Sequence, residues 1–178
     1  MFSRVRGRAV GPVLGVSVST RGRYRLLAVV AACVALAAAA TPVAAAPAMQ
    51  VTIVSHVTFN PDGPNYGDFT ASGPAVDAGA MCASGTFVDT GIKFAGFQSP
   101  TGHVQLQVAK DFTCDDGSGT FAVKLQINAN FGTGYESFTW VASGTSGSLG
   151  SLQGAGTGST VPNPPIGNIN TYVGMITG

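Results

Sequence analysis

The feature that most constrains this chain is a strict alternation of apolar and polar residues in several separate runs. The longest run places an apolar side chain at every second position of residues 121–131. Similar runs cover residues 104–112 and 51–59. Because successive side chains of a β-strand point to opposite faces of the sheet, this period of two predicts strands with one buried face. The pattern is typical of an all-β protein.

Shorter runs of the same kind occur elsewhere, separated by segments rich in glycine, proline, serine and aspartate. These further candidates are residues 68–73, 82–90, 92–97, 137–142, 151–158 and 169–176. No stretch has the period of a helix. About eight strands joined by short turns predict a small closed antiparallel barrel, since closure removes exposed strand edges. A β-sandwich is the alternative.

The N-terminal part of the chain has the organisation of a targeting segment. Arginines precede an apolar run at residues 26–40, and small residues with Ala-x-Ala spacing follow up to Ala48. This arrangement predicts a cleaved signal peptide over residues 1–48, a mature chain that begins at Met49, and secretion. A membrane anchor is the competing interpretation. Residues 49–178 have the length of one domain.

The predicted mature chain is mildly acidic. All six arginines precede residue 49, so that Lys93, Lys110 and Lys124 face eight acidic residues. A surface with three cations cannot neutralise a run of phosphates. Nucleic acid and anionic membrane are therefore poor candidate partners, and no stable membrane insertion is expected after processing.

The cysteines predict one disulfide. Cys33 falls within the apolar leader, which leaves Cys82 and Cys114 as an even pair in an exported chain. If the two face each other, the intervening chain is a hairpin that turns near residues 97–102, and closing it stabilises the fold by about 3 kcal/mol. A metal-thiolate site would need further ligands, and the two histidines have no metal-ligand spacing.

The segment "CDDGSG" joins two of the clearest strands. Opposed residues of an antiparallel pair share a face, so an even-numbered residue must pair with an odd-numbered one. This parity predicts a two-residue turn with Gly117 and Ser118 at its centre. Asp115 and Asp116 then have the role of turn residues. A calcium site is the alternative, although it would need about six oxygen ligands.

Lys110 interrupts the apolar face of its strand. Strict alternation places it on the same side as Val108 and Phe112, where an unpaired ammonium is costly. A bulge near Ala109 that turns the lysine outward is the favoured interpretation. The alternative is an interior lysine paired with Glu136 or an aspartate, in which case Lys110 would orient an anionic apolar ligand.

Four short segments carry a family resemblance. "CASGT" at 82–86, "KDFTCDDGSGTF" at 110–121, "WVASGTSGSLGSLQGAGTG" at 140–158 and "YVG" at 172–174 resemble a group of uncharacterised secreted actinobacterial proteins. The glycine-rich closing segment more distantly resembles the allene oxide cyclase and dirigent-like eight-stranded barrels. The resemblance implies a barrel, and an activity in which the shape of a cavity steers a reactive apolar substrate. It supplies no catalytic residue.

Known catalytic motifs are missing from the sequence. It contains no Gly-x-Ser-x-Gly elbow, no phosphate-binding loop and no His-Glu-x-x-His, so no catalytic residue, metal or cofactor is predicted. The remaining expectation is a barrel that holds a small apolar or amphipathic molecule. Its candidate ligand-binding residues are Lys110, Phe112, Phe121 and Trp140. A cyclase-like isomerase and a structural or cell-surface protein with a filled core are the alternatives.

Overall fold

The chain folds into a closed antiparallel β-barrel. The computed structural model describes residues 46–98, 102–130 and 135–178, so the predicted signal peptide lies almost wholly outside the described residues. Each strand pairs with its neighbours in sequence, and the last pairs with the first. The barrel prediction is confirmed. The strands are β1 Met49–Thr58, β2 Tyr66–Ser72, β3 Ser84–Gln98, β4 His103–Cys114, β5 Gly119–Asn130, β6 Tyr135–Gly147, β7 Gln153–Pro162 and β8 Gly167–Thr177.

The alternation in the sequence corresponds to the two faces of the barrel wall. On β5, Phe121, Val123 and Leu125 are buried, whereas Lys124 between them is exposed. β1 and β4 have the same pattern. The period-two residues therefore point inward, and their burial stabilises the barrel by roughly 1.5–3 kcal/mol for each large side chain.

Two elements differ from the sequence expectation. The candidates at 82–90 and 92–97 form one strand, β3, because a β-bulge shifts the register between Asp89 and Gly91 without ending the pairing to β4. A helical turn that the sequence did not predict, α1, covers Pro74–Asp77. Four residues are too few to show a helical period. In the described ranges, no helix has the length and apolar character that crossing a membrane requires.

One end of the barrel is closed by apolar side chains and the predicted disulfide. Met81, from the segment between α1 and β3, and Leu149 and Leu152, between β6 and β7, are all buried. Cys82 and Cys114 are bonded here, with their Cα atoms 5.9 Å apart, which confirms the predicted pairing. We call this the plugged end.

The turn between β4 and β5 lies at the plugged end and is longer than predicted. Thr113 lies opposite Thr120, so the parity was right but the two-residue turn centred on Gly117 and Ser118 was wrong. Residues 115–118 form the link. The Gly117 amide donates to the Cys114 carbonyl, Gly117 has φ of 72°, and the Asp116 carboxylate accepts from the Ser118 amide at 2.8 Å. The side-chain bond to the backbone favours this wider turn.

The glycines of β7 make room for aromatic residues of β6. Gly154, Gly156 and Gly158 occupy the inward positions of β7. A Cβ atom placed on Gly156 would lie 2.8 Å from Trp140 Nε1, and one on Gly158 would overlap the Phe138 ring. The glycine-rich segment is thus a strand that accommodates the largest side chains of its neighbour.

Replacing Gly156 by alanine tests this explanation of β7. We expect Gly156→Ala to lower the free energy of unfolding by about 1–3 kcal/mol, because the added Cβ would overlap the Val173 carbonyl oxygen of β8 and lie 2.8 Å from Trp140 Nε1, which overpacks the interior. Chemical denaturation measures the change. Gly91→Ala is the matched control, since no atom lies within 4 Å of its added Cβ. Equal effects of the two substitutions would contradict the packing explanation.

Candidate functional site

Polar side chains gather inside the barrel towards the end opposite the plug. We call this group the interior polar cluster, and it draws on six strands. Members other than Thr160 share their face with buried apolar residues of the same strand, and Thr160 shares its face with the inward glycines of β7, so closure of the barrel brings the members together. The cluster consists of Ser55, Asp89, Lys110, Glu136, Thr160, Asn170 and the hydroxyl of Tyr172.

A buried ion pair forms one side of the cluster. Lys110 Nζ lies 2.5 Å from Asp89 Oδ1, and the two side chains are 4% and 5% exposed, respectively. The ammonium also lies 4.6 Å from the centroid of the Phe87 ring. Asn65 Nδ2 donates to Asp89 Oδ2 at 3.1 Å. Each member of the pair therefore has a further contact: the ammonium with an aromatic ring, and the carboxylate with an amide donor.

This position corrects the expectation for Lys110. An outward-turning bulge near Ala109 was wrong, because the alternation of β4 continues through Lys110 and its opposed partners are Asp89 and Val123. The bulge lies in β3 instead, directly after Asp89. The interior alternative, a lysine paired with an aspartate, is the observed one.

Asp89 is the member of the cluster that the sequence did not identify. It shares its parity with Phe87 on a predicted strand, but a hairpin with Cys82 opposite Cys114 would place Thr86 opposite Lys110, whereas the observed register places Asp89 there. The strand neighbours also explain its location: pairing of β2 with β3 ends at Tyr66 and Val88, and the Asp89 amide donates to the Asn65 carbonyl at 2.8 Å. Asp89 therefore lies one residue beyond the last pair between β2 and β3.

Burial and charge act against each other at Lys110. Burial lowers the pKa of the ammonium below its ordinary value, while Asp89 and, more weakly, Glu136 raise it. Desolvation is the larger effect because both members of the pair have been removed from water. The Lys110–Asp89 pair is electrically neutral as a unit, whichever of the two holds the proton.

A line of directly opposed residues forms the other side of the cluster. Glu136 lies opposite Thr160, Thr160 opposite Asn170, and Asn170 opposite Ser55. Thr160 Oγ1 donates to Asn170 Oδ1 at 2.9 Å, and Asn170 Nδ2 lies 3.5 Å from the Tyr172 hydroxyl. Four successive strands thus each contribute one polar side chain at the same level.

Glu136 and Tyr172 have shifted acid–base properties. Burial raises the pKa of the Glu136 carboxyl, and a hydrogen bond with Thr160 and the charge of Lys110 reduce that shift. Burial likewise raises the pKa of Tyr172 to about 12, so the phenol is neutral at physiological pH. Within the described ranges, Glu136 forms no ion pair.

One buried oxygen atom near this line, Asn168 Oδ1, lacks a hydrogen-bond partner among the described residues. Asn168 lies opposite the inward-facing Val57. The side chain of Ser55, which is 0% exposed, is hydrogen-bonded with the Tyr172 hydroxyl. Buried polar atoms in folded proteins are usually paired, so Asn168 Oδ1 is available to a hydrogen-bonding guest.

The aromatic residues predicted to bind ligand form a packed layer between the cluster and the plug. Phe112 stacks on Phe121 with ring centroids 4.8 Å apart, and both are buried. Trp140 is also buried, and its indole N–H donates to the Thr157 carbonyl at 3.1 Å. Phe87 stacks on Phe112 at 5.3 Å and links this layer to Lys110. Ligand contact by Phe112, Phe121 and Trp140 remains a prediction.

The outer wall of the barrel carries shallow grooves, but these hold no comparable chemistry. One groove of about 420 Å³ crosses β3 to β6, and another of about 570 Å³ crosses β5 to β8. Their side chains, such as Gln107, Lys124 and Gln126, belong to the solvent-facing half of the alternation. The interior is therefore the better candidate for a binding site.

No protein-family model matches the chain, and no curated protein matches it. The resemblance to secreted actinobacterial proteins and cyclase-like barrels thus stays a prediction.

Among the described residues, no three His, Cys, Asp or Glu side chains are grouped as metal ligands. Asp115, one of the two turn aspartates, accepts a hydrogen bond from Ser84 Oγ at 2.9 Å.

The ion pair makes Lys110→Met a strongly destabilising substitution. Loss of the ammonium leaves the Asp89 carboxylate buried without its partner, and we expect a loss of about 3–5 kcal/mol in the free energy of unfolding. Adding Asp89→Asn should recover most of that loss, because the amide is uncharged. Denaturant titration measures both. Lys124→Met, on the exposed face, is the control, and a single variant as stable as the parent would refute the buried pairing.

Glu136 should make stability depend on pH. Its pKa is raised in the folded state, so its contribution to stability is fully present below the ordinary glutamate pKa and is lost as pH rises through the folded value. Relative to the parent, Glu136→Gln should therefore become more stable as the pH rises from the ordinary glutamate range, about 4, towards neutrality. Melting curves across this range measure the difference, with the exposed Asp111→Asn as control. A difference independent of pH would disprove the shift.

Proposed function

We propose that the barrel is a binding module for a small amphipathic molecule whose polar part contacts the interior polar cluster. One observation carries the proposal: the inner wall at the end opposite the plug holds a buried ion pair and the unpartnered Asn168 Oδ1. An eight-stranded barrel has an interior just wide enough for side chains or for one small ligand. A binding role explains why polar groups occupy this part of it.

A purely structural role gives no reason for the cluster. Replacing a buried ion pair by packed apolar residues is often neutral or stabilising. The plugged end of this barrel is packed in that way, with Met81, Leu149 and Leu152 buried among aromatic rings. Charges at the other end cost desolvation energy that apolar side chains would avoid, which supports a use for them beyond stability.

Apolar walls beside the cluster support an amphipathic ligand. Val57, Val108, Ile127 and Phe138 are buried, inward-facing residues on four different strands. Val57, Val108 and Phe138 each lie two residues along their strand from a member of the cluster. Ile127 lies two residues from the residue of β5 that is opposed to Glu136. A ligand with both polar and apolar parts matches such a mixed lining, because binding sites combine apolar walls with a few orienting polar groups.

The proposed setting of this activity is outside the cell. A disulfide between Cys82 and Cys114 is compatible with an oxidising compartment, and the sequence of residues 1–48 predicts export. The proposal therefore concerns the processed chain that begins at Met49. Its ligand would be a molecule encountered after secretion.

A second candidate function is acid–base catalysis on such a molecule. Lys110 has a lowered pKa and Glu136 a raised pKa. Opposite shifts of this kind bring both pKa values closer to neutral pH, where a general acid and a general base are most effective. An isomerase or cyclase of the type that the sequence resemblance implies would use them as acid and base. Turnover of a bound compound, rather than its release unchanged, would distinguish this function.

Native mass spectrometry of the protein tests the binding proposal. We expect a noncovalent adduct on the parent and on Lys124→Met, lost on denaturation, and a weaker or absent adduct on Lys110→Met with Asp89→Asn. The double variant keeps the shape of the pair while removing its charges. A bare mass for the parent, together with no thermal shift on adding eight-carbon amines, alcohols or acids, would favour a structural protein with a filled interior.

A further inference from the structure

The charge balance of the interior polar cluster indicates which polar group it accepts. Lys110 and Asp89 neutralise each other at 2.5 Å. Glu136, on the same inner wall, forms no ion pair with any described residue. When Glu136 ionises, the cluster therefore carries one uncompensated negative charge. An anionic guest would add to that charge, while a cationic guest would compensate it.

The groups that face Glu136 supply no other cation. Its opposed partners are Ala129 on β5 and Thr160 on β7. Beyond them lie the amide of Asn170 and the neutral phenol of Tyr172 on β8. Lys110 on β4 contributes a positive field at Glu136, but Asp89 on β3 already holds that ammonium. The described exposed lysines, Lys93 and Lys124, belong to the outer face.

The hairpin of β3 and β4 offers an apolar surface beside this cluster. Past the bulge, Ile92 lies opposite the inward-facing Val108, and Phe94 lies opposite Leu106. Ile92 is 47% exposed and Phe94 is 63% exposed. Both follow Asp89 on β3, farther from the plug. Their side chains thus continue the inner face of the wall beyond the ion pair and into contact with solvent.

We propose that the ligand is an organic cation with an apolar chain, whose ammonium-type head binds Glu136 and whose chain lies against Ile92 and the inner face of the β3–β4 hairpin. The unpartnered Asn168 Oδ1, on β8 beside the line of Asn170, Thr160 and Glu136, is an acceptor for a second N–H of the same head. This inference rests on the proposed binding function and specifies its ligand class.

Calorimetric titration with three probes of equal chain length tests the head group. The probes are octylammonium, octan-1-ol and octanoate, added to the parent protein at neutral pH. We expect octylammonium to bind about tenfold or more tightly than octanol, the scale of one charge-assisted hydrogen bond, and octanoate to bind most weakly. Glu136→Gln should remove the preference for octylammonium over octanol. Asp111→Asn, an exposed acid, is the control.

Two matched substitutions test the position of the apolar chain. Ile92→Ser should weaken all three probes by a similar factor, because it removes apolar contact without changing charge. Val88→Ser is the control, since Val88 is 40% exposed on the outer face of the same strand. Equal loss from both variants, or none from Ile92→Ser, would overturn this placement of the chain.

The outcomes separate the ligand class from the binding function. Tighter binding of octanoate than of octylammonium, or an unchanged preference in Glu136→Gln, would overturn the cationic assignment while leaving a small-molecule site in place. Failure of all three probes, with a bare mass in native spectrometry, would overturn the binding function and this inference together. Circular dichroism of each variant confirms that a lost signal does not arise from unfolding.

Discussion

Closure of the sheet is the constraint on which the rest of this structure depends. Once eight strands form a ring, the interior volume is set, and every inward side chain competes for it with those of the facing strands. β6 contributes Trp140 and Phe138, two large inward residues. The neighbouring β7 compensates with glycine at its inward positions, where added Cβ atoms would collide with these rings. The low side-chain volume of one strand is therefore a consequence of the high volume of the next.

The same limited interior is divided between two kinds of packing. Towards the plug, aromatic rings contact one another at centroid distances of about 5 Å, as in the pairs Phe69–Phe112 at 5.1 Å and Phe112–Phe121 at 4.8 Å. Towards the other end, charged and hydroxyl groups replace them. Phe87 connects the two regions, because it stacks on Phe112 and also faces the Lys110 ammonium. The polar groups thus pack against a layer of closely packed aromatic rings.

Electrostatics gives this polar region its distinctive character. A lysine alone in the interior would be costly, and Asp89 offsets that cost at contact distance. The carboxyl of Glu136 has no such partner among the described residues, and burial shifts its pKa upwards. The cluster is therefore neutral or negative, a charge balance that favours a cationic guest over the anionic ligand predicted for an interior Lys110. The sequence predicted an acidic partner for an interior lysine but did not identify that partner as Asp89.

Much of the fold was readable in the sequence, because a period of two in hydrophobicity is a local property. It predicted the strands and the interior direction of Phe112 and Phe121, while the even cysteine count of the predicted mature chain predicted the Cys82–Cys114 bond. The tertiary structure alone decided which polar residues meet. Asp89 and Lys110 are joined by register across a bulge, and Glu136 reaches Ser55 through three strand pairings. Those relations depend on strand order, register and closure, which are properties of the whole barrel and leave no periodic signal in any one segment.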